Sequence, residues 1–256
     1  MTRVRKTGRI AFLGAGPGDP GLLTRRALDF LAGAEHVVHD SDVDPALLAL
    51  LPDGAERSPA EGTPGDVAKV LLSAARSGCA VVRISAGDPF ASEDVVKEIQ
   101  AVARTAVPFE LVPGIPVDSG VPAYAGVPYS WQRTVADLRA GRVDDADWRA
   151  LAAAPQPLVF TLPYADTGKV RAGLAGAGIA ETMPVCVTVA GTTEDQRSAS
   201  GTLAEVEQFA DELDAADDTI VVLSIGRQVA ARDKLSWWES RPLYGWRVLV
   251  PRTKQQ

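Results

Sequence analysis

The stretch Ile10 to Thr24, IAFLGAGPGDPGLLT, constrains this chain more than any other. Ile10 to Leu13 is an apolar run suited to a buried strand, Gly14, Gly16 and Gly18 permit tight or left-handed backbone, and an amphipathic helix follows over about Gly21 to Ala32. A strand, a glycine turn and a helix together bring backbone close to a ligand at the strand's carboxyl end. A dinucleotide turn would need G-x-G-x-x-G, and Asp19 stands where the third glycine belongs. The Asp19 carboxylate would repel a phosphate and Pro17 offers no N–H, so the dinucleotide reading is set aside.

The same grammar recurs downstream. A short strand, AEHVVHD, ends at Asp40, with His36 and His39 expected to be packed or solvated; Pro45 to Leu51 reads as a short helix. Thr63 to Ser77 is a clearer helix, with Thr63 as its cap, Pro64 in the first turn and Gly78 as its stop. CAVVRIS, Cys79 to Ser85, reads as a buried strand running into Ala86-Gly87-Asp88-Pro89-Phe90; a helix over Glu93 to Arg104 leads to a strand, Phe109 to Val112, ending in Pro113-Gly114. Crossovers of this length fit parallel pairing. Three glycine loops at strand carboxyl ends argue for one shared site, although each alone is also what an ordinary turn requires.

Between Pro122 and Ala154 the pattern loosens, and the domain boundary is expected near 127–133. A second alternating series follows: strand Leu158 to Leu162, helix Thr167 to Ala177, strands Val185 to Val189 and Ser198 to Ser200, helix Leu203 to Phe209, and strand Thr219 to Ile225. The division expected is thus 1–128, 129–227, and a linker-like segment 228–256. Its WRVLVPRT looks like the start of a further domain, so residues after Arg241 are expected to pack poorly on what precedes them.

Composition narrows the function. The 256 residues carry a formal charge of −7, which argues against nucleic acid as a partner and obliges any polyanionic substrate to find a local basic patch. No apolar run approaches a membrane span and no signal-peptide pattern follows MTRVRKTGR, so a cytoplasmic location is expected. Cys79 and Cys186 read as buried free thiols, and with His36 and His39 as the two histidines no metal constellation is visible.

The motifs resemble those of the tetrapyrrole methylase family, above all its uroporphyrinogen-III C-methyltransferase branch. GAGPGDPGLLT, from Gly14 to Thr24, is similar to the family's GAGPGDPxLLT, and VVRISAGDPF, Val81 to Phe90, to VVRLKGGDPF. FELVPGIP with PAYAGVP resembles FEVVPGIT with PAYAGIP; MPVCVTVAGTTEDQR, Met183 to Arg197, resembles PVAVVxxGTTxxQR; and DKLSWWESRPLYG, Asp233 to Gly245, is like the ending of the methyltransferases. The resemblance implies an α/β tetrapyrrole methylase fold of two subdomains with S-adenosylmethionine in the cleft between them. It further implies a small-molecule tetrapyrrole substrate in sirohaem or cobalamin synthesis, and a homodimer. WRVLVPRT is similar to the first strand of uroporphyrinogen-III synthases, implying the N-terminal part of a methylase–synthase fusion. By analogy Pro17, Gly87 and Asp88, with Leu162 and Ala190, line the cofactor pocket. A polycarboxylate substrate calls for arginines, and Arg133 and Arg197 lie on loops near the motifs; either one is equally consistent with a solvated or structural role. Asp40 stands where the family has YDRLV and is the candidate to orient substrate or accept a proton, its alternative being a helix cap or turn carboxylate.

Four departures bear on activity. The family's lysine–glycine before GDPF is Ser85-Ala86, its FGRGGEE becomes the run from Phe90 to Glu98 with Asp94 where arginine is usual, PGITSA becomes PGIPVD, and the methionine ending VxYM is Leu162, while DRL reads Asp40-Ser41-Asp42. These changes give weight to two rivals: a catalytically impaired module that dimerises or scaffolds a fused synthase, and a methylase of another corrinoid intermediate.

Overall fold

A computed structural model describes residues 8–246. The chain divides into two compact units, Met1–Val121 and Pro122–Gln256, so the division falls inside a helix, a few residues before the stretch to which the sequence points.

The first unit is built on five parallel strands, β1 (Arg9–Gly14), β2 (His36–His39), β3 (Glu56–Pro59), β4 (Ala80–Ser85) and β5 (Phe109–Val112), in the order β3-β2-β4-β1-β5. Both faces of this sheet are covered, which is why its central strands read as apolar runs. Ala11, Leu13, Val82 and Ile84 face one core with Ala27 and Leu31 of α1 (Arg25–Ala32) and Leu47 of α2 (Pro45–Leu48). Ile10, Phe12 and Val81 face the other, with Leu71 of α3 (Pro64–Ser77) and Val95, Ile99 and Val102 of α4 (Glu93–Ala103). Helix α3 is bounded as its sequence demands: Thr63 and Asp66 form a capping box, and Gly78 ends the helix at φ 106°.

β1 and β4 are neighbours, yet the helices that follow them, α1 and α4, cover opposite faces of the sheet. The chain therefore parts at their carboxyl ends. That is the switch point at which open α/β sheets bind ligands.

Helix α5 (Val117–Tyr124) carries the division between units. The second unit has a five-stranded sheet, β6 (Thr134–Asp137), β7 (Leu158–Pro163), β8 (Pro184–Val189), β9 (Arg197–Thr202) and β10 (Ile220–Ile225), in the order β6-β7-β10-β8-β9. β6 and β7 run parallel and the other pairs antiparallel. Its core gathers Leu158, Phe160, Val187 and Leu223 from the strands, with Leu174 of α7 (Thr167–Gly176) and Leu203. The remaining helices, α6 (Trp148–Ala153), α8 (Ala210–Leu213) and α9 (Arg232–Leu235), are short.

Residues 228–246, expected to be a linker, are packed into the second unit. Val229 is 4% exposed, Gly126 lies so close to Leu235 and Ser236 that a Cβ there would sit 2.6 Å from their backbone, and Trp237 donates its indole N–H to Ala123 O at 3.0 Å. Poor packing beyond Arg241 is likewise corrected at Tyr244, whose hydroxyl donates to Gln196 O at 2.7 Å. The expected orphan strand at Val248 to Val250 lies outside the described residues.

Candidate active site

At the switch point the three glycine loops are locked to one another, two through backbone and the third through the Asp88 side chain. Gly16 and Gly87 form an antiparallel bridge, with Gly16 N–H on Gly87 O at 3.1 Å and Gly87 N–H on Gly16 O at 2.9 Å. Asp88 clasps the third loop: its Oδ1 accepts from Phe90 N–H at 2.9 Å and its Oδ2 from Gly114 N–H at 3.0 Å. A Cβ on Gly114 would lie 2.1 Å from Gly87 O, and one on Gly14 2.4 Å from Gly114 N. These two glycines are therefore required by the loops' approach to each other. Gly16 differs: a Cβ there would make only ordinary contact with Leu22 at 3.9 Å, so what calls for glycine is its left-handed backbone, φ 73°. Pro17 packs over Gly120, where a Cβ would be 2.5 Å from its ring. Gly87 combines φ 63° with Val117 only 3.3 Å from where a Cβ would be.

Asp40 emerges just beyond β2, beside β4. Its Oδ1 pairs with Arg83 Nη2 at 2.6 Å. Arg83 is 2% exposed and its guanidinium is almost fully used: Nε and Nη2 reach Glu98 at 2.8 and 3.0 Å, and Nη1 donates to Ile84 O at 2.7 Å. Burial opposes the Arg83 charge, but hydrogen bonding to Glu98 and the fields of Asp40 and Glu98 outweigh it and hold the guanidinium above its ordinary pKa. Asp40, Arg83 and Glu98 open on a cavity of about 200 Å³ whose wall includes Ser92 and Asp94. Asp94 is tied to Lys97 at 2.9 Å. Ser85, at the end of β4, is 1% exposed and its Oγ has no protein partner among the described residues.

The sequence alone points to Asp40 but not to Arg83 or Glu98. Both carry a signal: Arg83 is a charge inside an apolar strand, and Glu98 falls on the buried face of α4 with Val95, Ile99 and Val102. A charge on each of two buried faces calls for a mutual partner.

In the second unit, Leu162 is wholly inside the core, so a ligand would meet its main chain and not its side chain. Ala190 ends β8 in left-handed backbone, φ 46°, and Thr192 follows at φ 71°. Arg197 opens β9, the edge strand, and its guanidinium pairs with Asp214 at 3.2 Å; Arg133 lies over the Tyr129 ring at 4.3 Å. Cys186 is a buried free thiol whose pKa is pushed up by burial, and Cys79 is half-buried. Among the described residues no group of three or more His, Cys, Asp or Glu is placed to hold a metal, and no helix is long and apolar enough to cross a membrane.

A parallel α/β unit with interlocked glycine loops at its switch point, joined to a mainly antiparallel α/β unit, defines the methylase class of two-unit folds. Residues 9–207 match the model of the tetrapyrrole (corrin/porphyrin) methylases, and the chain belongs to that family. Siroheme synthase 1 of Yersinia enterocolitica is 35% identical over 251 residues, 93% of this chain and 52% of its own length. The chain thus spans about half the length of the curated relatives it matches. The crystal structure of uroporphyrin-III-C-methyltransferase from Thermus thermophilus superposes with a TM-score of 0.72 at 26% identity, covering 89% of this chain and 98% of that one. The same Thermus protein complexed with S-adenyl homocysteine gives 0.67, also at 26% identity, covering 87% and 99%.

Proposed function

We propose that this chain is an S-adenosylmethionine-dependent C-methyltransferase that methylates uroporphyrinogen III on two pyrrole rings to give precorrin-2, on the way to sirohaem or cobalamin. The observation that carries this reading is the interlock of the Gly16, Gly87 and Gly114 loops, by backbone and by Asp88, at the β1/β4 switch point. It leaves side-chain-free main chain beside Pro17 in a family that includes a relative crystallised with S-adenyl homocysteine.

The residues fit such a cofactor: in the first unit Gly16 and Gly87 bring left-handed backbone without a side chain to the carboxyl ends of β1 and β4, and in the second unit Ala190 follows β8 in exposed left-handed backbone. When bound, S-adenosylmethionine supplies an electrophilic methyl group on a positively charged sulfur. The chain's own part is positioning and charge. Asp88 holds the Gly87 and Gly114 loops in register. Arg83 fixes Oδ1 of Asp40, which leaves Oδ2 to orient substrate or take the proton that a ring N–H or an adjoining bridge carbon must lose once methylation has made the ring carbon quaternary and the ring cationic. Arg133 and Arg197 are assigned to substrate carboxylates, Arg197 by exchanging Asp214 for substrate.

Labelled S-adenosylmethionine incubated with the protein and uroporphyrinogen III tests the reaction, and label appearing in the tetrapyrrole is the expected result. Calorimetry with S-adenosylhomocysteine tests the site independently; heat equal to the buffer blank at millimolar ligand would refute it. The enzyme is assigned to the cytoplasm as a homodimer by its likeness to the family, and a monomer mass in sedimentation velocity would overturn the assembly.

One observation favours a second reading. The cavity beside Asp40 sets the carboxylates of Asp40, Asp94 and Glu98 against the guanidinium of Arg83. This environment disfavours substrate carboxylates and suits a corrinoid intermediate with fewer of them near the reacting carbon. Methyl transfer to such an intermediate but not to uroporphyrinogen III would select it.

A further inference from the structure

The motif DKLSWWESRPLYG, Asp233 to Gly245, has no part in the site described so far. It converges on one loop, Ala190 to Gln196, which bears the strained backbone at the end of β8. Ala190 and Thr192 both hold positive φ, and for the β-branched Thr192 that conformation is an outlier. Such backbone persists only where its surroundings over-determine it.

Gln196 is the keystone. It is fully buried, and its Oε1 accepts Thr192 N–H at 2.7 Å, directly at the strained residue. Its Nε2 donates to Glu239 Oε1 at 2.7 Å, which also accepts Ser198 Oγ at 2.6 Å. Glu239 Oε2 pairs with Arg232, and Arg232 donates to Ser198 O at 3.1 Å. The Trp238 indole donates to Thr193 O at 3.0 Å, and the Tyr244 hydroxyl to Gln196 O at 2.7 Å. Arg241 lies 3.7 Å over the Trp238 ring, which itself packs against the Tyr124 ring at 4.6 Å with the planes tilted by 53°. Glu239, Trp238 and Tyr244 thus each bond the loop, and two more residues hold them in place.

We propose that residues 232–246 are a positioning element, with Glu239 and Tyr244 as positioning residues that hold Ala190 and Thr192 in the conformation that accepts the cofactor. The inference rests on the reading that this loop meets S-adenosylmethionine. It gives the segment a role in cofactor affinity that a linker to a further domain would not have. Glu239 sets the loop through Gln196; neither residue touches the reacting atoms.

The test uses the full chain with Glu239→Gln and Tyr244→Phe, measuring S-adenosylhomocysteine affinity by calorimetry and KM for S-adenosylmethionine against kcat. Glu239→Gln puts an amide where one of two carboxylate oxygens accepted, and affinity falls by about tenfold, the ratio given by one charge-assisted hydrogen bond. Tyr244→Phe removes one neutral hydrogen bond and weakens binding by about threefold. The loss appears in KM and Kd and not in kcat, whereas simple destabilisation would lower the active fraction and spare KM. Wild-type protein that binds S-adenosylhomocysteine, with both variants binding equally well, overturns the positioning role. Wild-type protein that fails to bind overturns instead the reading on which it rests.

Discussion

The ion group of Asp40, Arg83 and Glu98 allows stability and activity to be separated by two variants. Arg83→Met leaves Glu98, whose side chain is 3% exposed, without its bidentate partner and releases Asp40 Oδ1. Removing one partner of a buried pair costs about 3–5 kcal/mol, because the other charge stays desolvated. At about 2–4 °C per kcal/mol for a chain of this size, the melting temperature should fall by roughly 6–20 °C. The double variant Arg83→Met with Glu98→Leu removes the stranded charge as well and should recover most of that loss, since apolar replacement of a whole buried pair is often neutral. Asp40, 28% exposed, can be solvated in both. Circular-dichroism melts read the stability, and the methyl-transfer assay reads the site. Activity should drop in both variants, because both free Asp40. An Arg83→Met protein melting within about 2 °C of wild type would refute the claim that Glu98 depends on Arg83. A double variant with full activity would refute the anchoring of Asp40.

The glycine lock predicts that Gly114→Ala costs at least about 1–3 kcal/mol and weakens S-adenosylhomocysteine binding, its Cβ falling 2.1 Å from Gly87 O. Gly176→Ala is the control: in α7 with no atom within 4 Å, it should raise stability by about 0.5–1 kcal/mol in a thermal melt. Thr63→Ala should cost about 1 kcal/mol through the lost cap of α3, read by urea denaturation. Burial beside Glu239 pushes the Tyr244 phenol up from 10.0 to about 12. The folded state therefore keeps that proton longer than the unfolded chain, so this contribution to stability is intact below pH 10.0 and disappears as pH rises towards about 12. Melts across that range should decline more steeply for wild type than for Tyr244→Phe.

Local signals were legible in the sequence because they act over a few residues. Thr63, Pro64 and Gly78 bound α3 by satisfying the backbone groups that a helix leaves open at its ends. Apolar runs such as Ile10 to Leu13 suited strands buried on both faces, and the glycine loops at their ends, with the motifs, pointed to the family. Elements whose existence depends on neighbours were not legible. β3 is ERSP, polar and at an edge; it is a strand because β2 offers its free hydrogen-bonding side. α5 holds Pro122 in its interior, and β6 is another short edge strand. Nor could sequence say what each glycine was for. Gly14 and Gly114 read as ligand-approach glycines, but tertiary packing assigns them to the meeting of three loops. Arg83 and Glu98, fifteen positions apart, became a pair because β4 and α4 share one buried face. The tail read as a linker since its charges and aromatics have no period; only the fold brings Glu239, Trp238 and Tyr244 onto the loop ending β8, more than forty residues earlier in the chain. Caps, turns and periodicity are fixed by near neighbours along the chain, whereas a buried charge or a strained loop is decided by the partners that folding brings to it.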